Sequence, residues 1–207
     1  MLNGYPDAET AEKILEEAEK KNPGPWVQHS RNVAQAAKNI AECCPGLNEK
    51  KAFVLGLLHD IGRREGTKDT KGMDHVFDGY RYCMSLGFND CARICITHSF
   101  PSGDVREAQG PWGSEEYCRS VGEILATIRY DDYDRLIQLC DAVGDASGFC
   151  LIEKRLIDVA LRNGVDGFTQ KKWKAHFSIK DHFETIMGKS IYTVLPGAVE
   201  NTFPGVV

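Results

Sequence analysis

An apolar run ends in two polar residues, and that junction limits this chain more than anything else in it. Ala52-Phe53-Val54-Leu55-Gly56-Leu57-Leu58 leads directly into His59-Asp60. Such a run belongs inside a fold, and an imidazole and a carboxylate carried into the same apolar face are costly unless something compensates them. A divalent cation would do so. His29, His75, His98 and Asp141 are the further side chains that could complete such a site.

Helical periodicity dominates the remainder, and strand-like alternation is nearly absent. The pattern predicts helices over 7–21 and 26–44, and a third over 48–61 with Asn48 as its cap. A polar loop spans 62–72. Helices follow over 74–86, with Asp74 as cap and Gly87 as stop, and over 89–98, with Asn89 as cap. After an irregular stretch at 101–113 come helices over 114–128, 133–145, 151–163 and 169–187. The tail at 192–207, with two Pro-Gly pairs, is expected to wrap the surface or fray. The expectation is a single all-α domain over 1–207, a helical bundle with its core at about 26–145 and its C-terminal helices and tail over 151–207.

The composition is that of a globular chain, 42% hydrophobic and 27% charged. With 25 basic and 30 acidic residues the net charge is -5, which disfavours binding to duplex nucleic acid. The eight cysteines form no CxxC pair, so a structural zinc knuckle is not expected. They read as small buried hydrophobes in a reducing cytoplasm. Residues 1–13 lack the basic and apolar regions of a signal peptide, and no apolar run approaches a membrane span. A soluble cytoplasmic protein with no membrane partner is expected.

Residues three, four and seven apart share a helix face. His29 falls with Trp26, Val33, Ala36 and Ile40; His59 with Ala52, Leu55 and Gly56; His98 with Cys91, Ile94 and Cys95; Asp141 with Ile137 and Gly144. His75 has Gly79 one turn on. All four histidines and Asp141 therefore point to the packing side, and Gly56, Gly79 and Gly144 are expected to leave room for an ion. Asp60 can reach the same ion as His59 only near a helix end, which Gly62 supplies. Fe, Mn, Ni, Co, Zn or Mg, one or two ions per chain, all fit mixed imidazole and carboxylate ligands. His182, on a stripe with Ala175, Ile179 and Ile186, and His176, beside Trp173, read as structural.

In this order the residues resemble the HD-domain superfamily of metal-dependent phosphohydrolases. Leu57-Leu58-His59-Asp60-Ile61-Gly62-Arg63 is close to its central motif, and Leu139-Cys140-Asp141-Ala142 is similar to its last one. The resemblance covers roughly residues 26–145. It implies an all-α fold with metal held between antiparallel helices, and a phosphomonoester or phosphodiester substrate, nucleotides included. His75 with Gly79 resembles the H-x-x-x-G element of the two-metal branch, and Ile94-Cys95-Ile96-Thr97-His98 its I-x-x-H element. Carried over, His29, His59, Asp60 and Asp141 hold a first ion. Asp60 bridges to a second, held by His75 and His98, and Asp60 and His98 are expected to act in catalysis.

Ser99 stands where the HD-GYP phosphodiesterases have a second histidine, and their GYP signature is missing around 64–66; both argue against cyclic-di-GMP. Arg63 matches a position often basic in the family and is expected to bind phosphate. Arg64, Lys68 and Lys71 add charge on the same loop. Trp26 is expected to floor the pocket or stack on a base, and 101–113, with Arg106, to form a lid or a plain surface loop. Two rival readings are a di-iron oxygenase resembling myo-inositol oxygenase and a catalytically silent nucleotide-binding HD module. The substrate within its class, the metal and the oligomeric state stay open at this point.

Overall fold

Ten α-helices and one two-stranded hairpin make up the computed structural model, which describes residues 4–66, 72–108, 112, 114–203 and 205. Helix α1 (Ala8–Lys21) starts at Asp7, whose carboxylate accepts from the Thr10 amide at 2.7 Å. Helix α2 (Pro25–Ala41) starts at a proline, which suits a first turn where no amide hydrogen is required. Helix α3 (Glu49–Leu58) is capped by Asn48, which accepts from the Lys51 amide at 2.9 Å. Its Ala52, Val54, Leu55, Gly56, Leu57 and Leu58 are all buried, as expected of a helix apolar on every side.

A 3-10 turn (Ile61–Glu65) leads away from α3. Then come α4 (Asp74–Ser85), α5 (Asn89–Thr97), α6 (Glu115–Thr127) and α7 (Asp132–Asp141). The hairpin pairs β1 (Gly144–Asp145) with β2 (Gly148–Phe149) antiparallel, Gly144 opposite Phe149. Helices α8 (Ile152–Asn163), α9 (Thr169–Met187) and α10 (Ala198–Thr202) complete the chain. The main core joins α1, α2, α3, α5, α7, α8 and α9, and a smaller cluster of Met73, Val76, Ile96, Phe100, Val121 and Leu125 lies under α6. Among the described residues no helix is long and apolar enough to cross a membrane.

Two glycines bring the site-bearing elements together. A Cβ on Gly56 would lie 2.8 Å from the Cα of Ala34, so α2 and α3 touch backbone to backbone. A Cβ on Gly62 would collide with the His75 carbonyl oxygen, so the 3-10 turn lies directly on α4. A Cβ on Gly79 would lie 2.9 Å from the Cys95 Sγ, and one on Gly144 2.9 Å from the Val33 Cγ2. The space beside Gly56, Gly79 and Gly144 is therefore filled by neighbouring chain. These residues position the metal-ligand candidates by close packing instead of leaving room for an ion.

A buried polar clamp fixes α5 against α7. Asp134 is fully buried; it pairs with Arg93 and accepts from the Thr97 hydroxyl at 2.8 Å. One turn on, Gln138 donates to the Thr97 carbonyl at 2.8 Å. The clamp thus holds the residue immediately before His98.

The structure corrects several boundaries. α2 ends at Ala41 and α3 at Leu58, each three residues short of expectation, and Met73 and Phe88, not Asp74 and Asn89, occupy the N-caps of α4 and α5. α7 stops at Asp141, because Gly144 and Gly148 favour a hairpin, with Gly148 at φ +132°. The described part of the tail goes further than wrapping the surface: Leu195 and Ala198 enter the main core, and Thr202 accepts from the Leu151 amide at 2.8 Å. His182 is exposed and meets Asp132 at 3.2 Å, so it is not a core residue.

Candidate metal centre

Four imidazoles stand in a row at the centre of the bundle. Ring centroids are 5.2 Å apart from His29 to His59, 5.1 Å from His59 to His98 and 5.6 Å from His98 to His75. Each ring has its Nδ1 against a backbone carbonyl: His29 on Gly144 at 3.1 Å, His59 on Gly56 at 2.7 Å, His75 on Gly72 at 3.1 Å and His98 on Ile94 at 3.1 Å. A carbonyl only accepts, so Nδ1–H is the donor, and in a neutral ring Nε2 keeps its lone pair. This is the outer support that orients metal-binding histidines.

The Nε2 atoms face carboxylates, and two of them also meet a donor, His98 the Ser99 hydroxyl at 3.0 Å and His75 an Arg63 terminal nitrogen at 3.4 Å. His29 Nε2 lies 3.1 Å from Asp141 Oδ1. His75 and His98 Nε2 lie 3.2 and 3.6 Å from Asp60 Oδ1. Asp60 Oδ1 and His59 Nε2 are buried and without a hydrogen-bond partner among the described residues. Acceptors facing acceptors in a dry interior require a proton or a cation between them. Two sets of three, His29 with His59 and Asp141, and His59 with Asp60 and His98, have ligand atoms all within 4.8 Å of one another.

Electrostatics favour the cation. Burial pulls His59 down to about 4 and His75 down to about 3, against the attraction of Asp60. Burial alone would raise the Asp60 carboxyl, but Arg63 and the imidazoles of His59, His75 and His98 hold it well below the ordinary carboxylate range. Asp141 is likewise held down against burial by His29, His59 and Arg155. Neutral imidazoles beside ionised carboxylates are the protonation states that metal ligation requires, so the residues fit a divalent metal.

All six expected metal-ligand candidates are thus brought together. Five of them line a cavity of about 700 Å³, with His59 buried behind them. Arg63 lines the same cavity and places its Nε 2.5 Å from Asp60 Oδ2. Trp26 also lines it, half-buried, with its Nε1–H donated to the Asn22 carbonyl at 2.9 Å. Arg64 does not: its guanidinium stacks on Tyr82 at 3.9 Å from the ring centre and pairs with Glu65 at 3.3 Å. Lys68 and Lys71 lie outside the described residues. Arg106 is held by Asp104 over the Phe168 ring and is not among the cavity-lining residues.

The far wall of the cavity was not anticipated. It is built by Arg155 and Arg162 on α8 and by Lys172 and His176 on α9. His176, expected to be structural, is buried, and its Nδ1 has no hydrogen-bond partner among the described residues. Helical spacing held a signal: Arg155 and Arg162 are seven apart, and Lys172 and His176 four apart, so each pair shares a face.

A family model described as HD domain matches residues 26–144, more than half of the chain. No curated protein and no solved structure matches it.

Proposed function

The chain belongs to the HD-domain family, and we propose that it is a metal-dependent phosphohydrolase acting on a phosphomonoester or phosphodiester, nucleotides included. The observation that carries this reading is the inward row of Nε2 atoms against Asp60 and Asp141, with Asp60 Oδ1 and His59 Nε2 buried and unpartnered among the described residues. His29, His59 and Asp141 would hold one ion, and Asp60 with His98 and His75 a second. Bound there, divalent ions supply an acidified water and neutralise phosphoryl charge.

The chain's own residues supply the remainder. Arg63 orients the Asp60 carboxylate through Nε, and we assign its terminal N–H groups to phosphate oxygens, the bidentate geometry for which guanidinium is suited. Arg155, with its terminal nitrogens 3.7 Å from Asp141 and 3.8 Å from Asp145, braces the opposite carboxylates. Ser99 Oγ, 3.0 Å from His98 Nε2, would give up that contact when the Nε2 lone pair binds an ion, which leaves its hydroxyl beside the site to bond a ligand oxygen. The enclosure of Asp60, His75 and His98, all nearly inaccessible, keeps bulk water from these groups.

The test is a panel of phosphate monoesters, diesters and nucleotides, with manganese, iron, nickel and cobalt supplied separately, read as release of inorganic phosphate or alcohol. Metal-dependent hydrolysis of at least one class is expected. Hydrolysis of none, with oxygen consumed in the presence of iron or with no metal retained, would overturn it.

A further inference from the structure

The cavity carries more positive charge than one phosphoryl group and its ions call for, and that excess is concentrated on the wall outside residues 26–144. Four cationic side chains line the cavity, Arg63, Arg155, Arg162 and Lys172, in a chain whose net charge is -5. Two of them are already committed. Arg63 is bonded to Asp60, and Arg155 spans Asp141 and Asp145. The other two have no carboxylate. Arg162 donates its Nε to the Asp158 carbonyl at 3.2 Å, and Lys172 its Nζ to the Glu107 carbonyl at 3.5 Å. Neither makes an ion pair among the described residues.

A third group on the same wall has one ring nitrogen without a partner among the described residues. His176 is one turn from Lys172 on α9, lines the cavity and is only 5% exposed, and its Nδ1 finds no hydrogen bond among the described residues. An unsatisfied buried polar atom is costly, and such atoms commonly mark where a ligand completes the set. Burial also pulls the Lys172 ammonium below its ordinary range, against the attraction of Asp141, Glu107 and Asp166, and an anion in direct contact would offset it further. Two cations without an ion pair and an imidazole with an unpartnered nitrogen, lining the same cavity of about 700 Å³ as the histidine row, make a second anchoring point.

We propose that the substrate carries a second phosphate, bound by Arg162, Lys172 and His176 on the α8–α9 wall, while the scissile phosphoryl group lies at the histidine and aspartate cluster. Two free cations match a phosphate dianion, whereas a carboxylate would neutralise only one of them. The class is therefore a bisphosphorylated small molecule or a nucleotide bearing a second phosphate. This rests on the phosphohydrolase reading for which group is cleaved, but not for how the second group is held.

The test uses non-hydrolysable ligands on the metal-loaded protein, dialysed free of excess metal. Bisphosphonates with alkyl spacers of increasing length are each compared by calorimetry with the monophosphonate of the same length. At the best spacer, the second phosphonate is expected to tighten binding by about tenfold or more. Lys172→Met and Arg162→Ala should each remove most of that gain, and Lys172→Arg should keep it. Phosphonocarboxylates of the same spacers should gain clearly less.

No gain at any spacer length, a gain that survives both charge-removing variants, or an equal gain from the carboxylate would overturn the proposal. Thermal melting of each variant separates loss of the contact from loss of the fold. A variant-sensitive gain in a protein that hydrolyses no ester would leave the second anion site standing and refute the hydrolase. Hydrolysis without any second-anion gain would do the reverse.

Discussion

Replacing Gly56 with alanine sets helix propensity against packing, and packing should win. In a helix interior alanine is favoured over glycine by about 1 kcal/mol. At Gly56 the added methyl would meet the Ala34 Cα at 2.8 Å, the Ala34 amide nitrogen at 3.0 Å and the Val33 carbonyl carbon at 3.1 Å. All three are backbone, so no side chain can swing aside and α2 must move off α3. Overpacking of this kind costs about 1–3 kcal/mol. The net expectation is a loss of up to about 2 kcal/mol, or up to about 8 °C in Tm for a chain of this size. Because His29 is on α2 and His59 follows α3, the same displacement should weaken metal affinity. Gly122→Ala on α6 is the matched control: its nearest neighbour is the Val105 Cγ1 at 3.6 Å, ordinary contact, so it should gain about 0.5–1 kcal/mol. Thermal melting of both variants, with and without metal, reads the contrast. A Gly56→Ala protein as stable as Gly122→Ala, with undiminished metal affinity, would refute the backbone contact as the device that sets the ligand row.

Three further outcomes are expected. Arg63→Ala should lower kcat/KM for a phosphate ester by about 10–100-fold while retaining bound metal, because it removes a charged hydrogen-bond partner worth about 1.5–3 kcal/mol and no metal ligand; metal content and steady-state rates measured together check this. Asp134→Ala should destabilise the fold by about 1.5–3 kcal/mol in urea melts, since Arg93 and the Thr97 hydroxyl lose their shared carboxylate. For His176, burial, with Lys172 adding to it and Asp141 opposing, places the folded-state value at about 3. The unfolded chain, near 6.5, therefore takes up a proton that the folded one refuses, so stability is full above pH 6.5 and falls as the pH drops towards 3. The loss attributable to this one ring is about 1–2 kcal/mol between pH 6.5 and 5, and His176→Gln should remove that share of the slope in urea melts while His59 and His75 keep theirs.

The ligand row was legible because a helix repeats every 3.6 residues. His29, His98 and Asp141 each share a face with apolar neighbours, and the run before His59 could only be interior. The all-α architecture followed from the same periodicity, and α9 begins and ends where the pattern places it. The end of α7 was less legible, because the apolar spacing continues past Asp141 while Gly144 and Gly148 turn the chain into a hairpin whose Gly144 carbonyl receives His29. The role of the glycines was inverted for a related reason. Sequence shows that a side chain is absent, but not that Ala34 or Cys95 fills the space. Arg162, Lys172 and His176 went unassigned because on an isolated helix a basic residue reads as solvated. Only the approach of α8 and α9 to the histidine row makes them a wall. Arg64 shows the converse: adjacent to Arg63 in sequence, it points to Tyr82 instead.

The most direct test of the buried cluster as a metal centre is the metal content per chain, measured by elemental analysis after loading with manganese, iron, nickel, cobalt or zinc and exhaustive dialysis, in the wild type and in Asp60→Ala. One or two tightly held ions per chain in the wild type are expected, falling sharply in the variant while helicity by circular dichroism is retained. A folded wild-type chain that keeps none of these metals, or an Asp60→Ala chain that keeps them all, would contradict the assignment of these imidazoles and carboxylates to a metal ion.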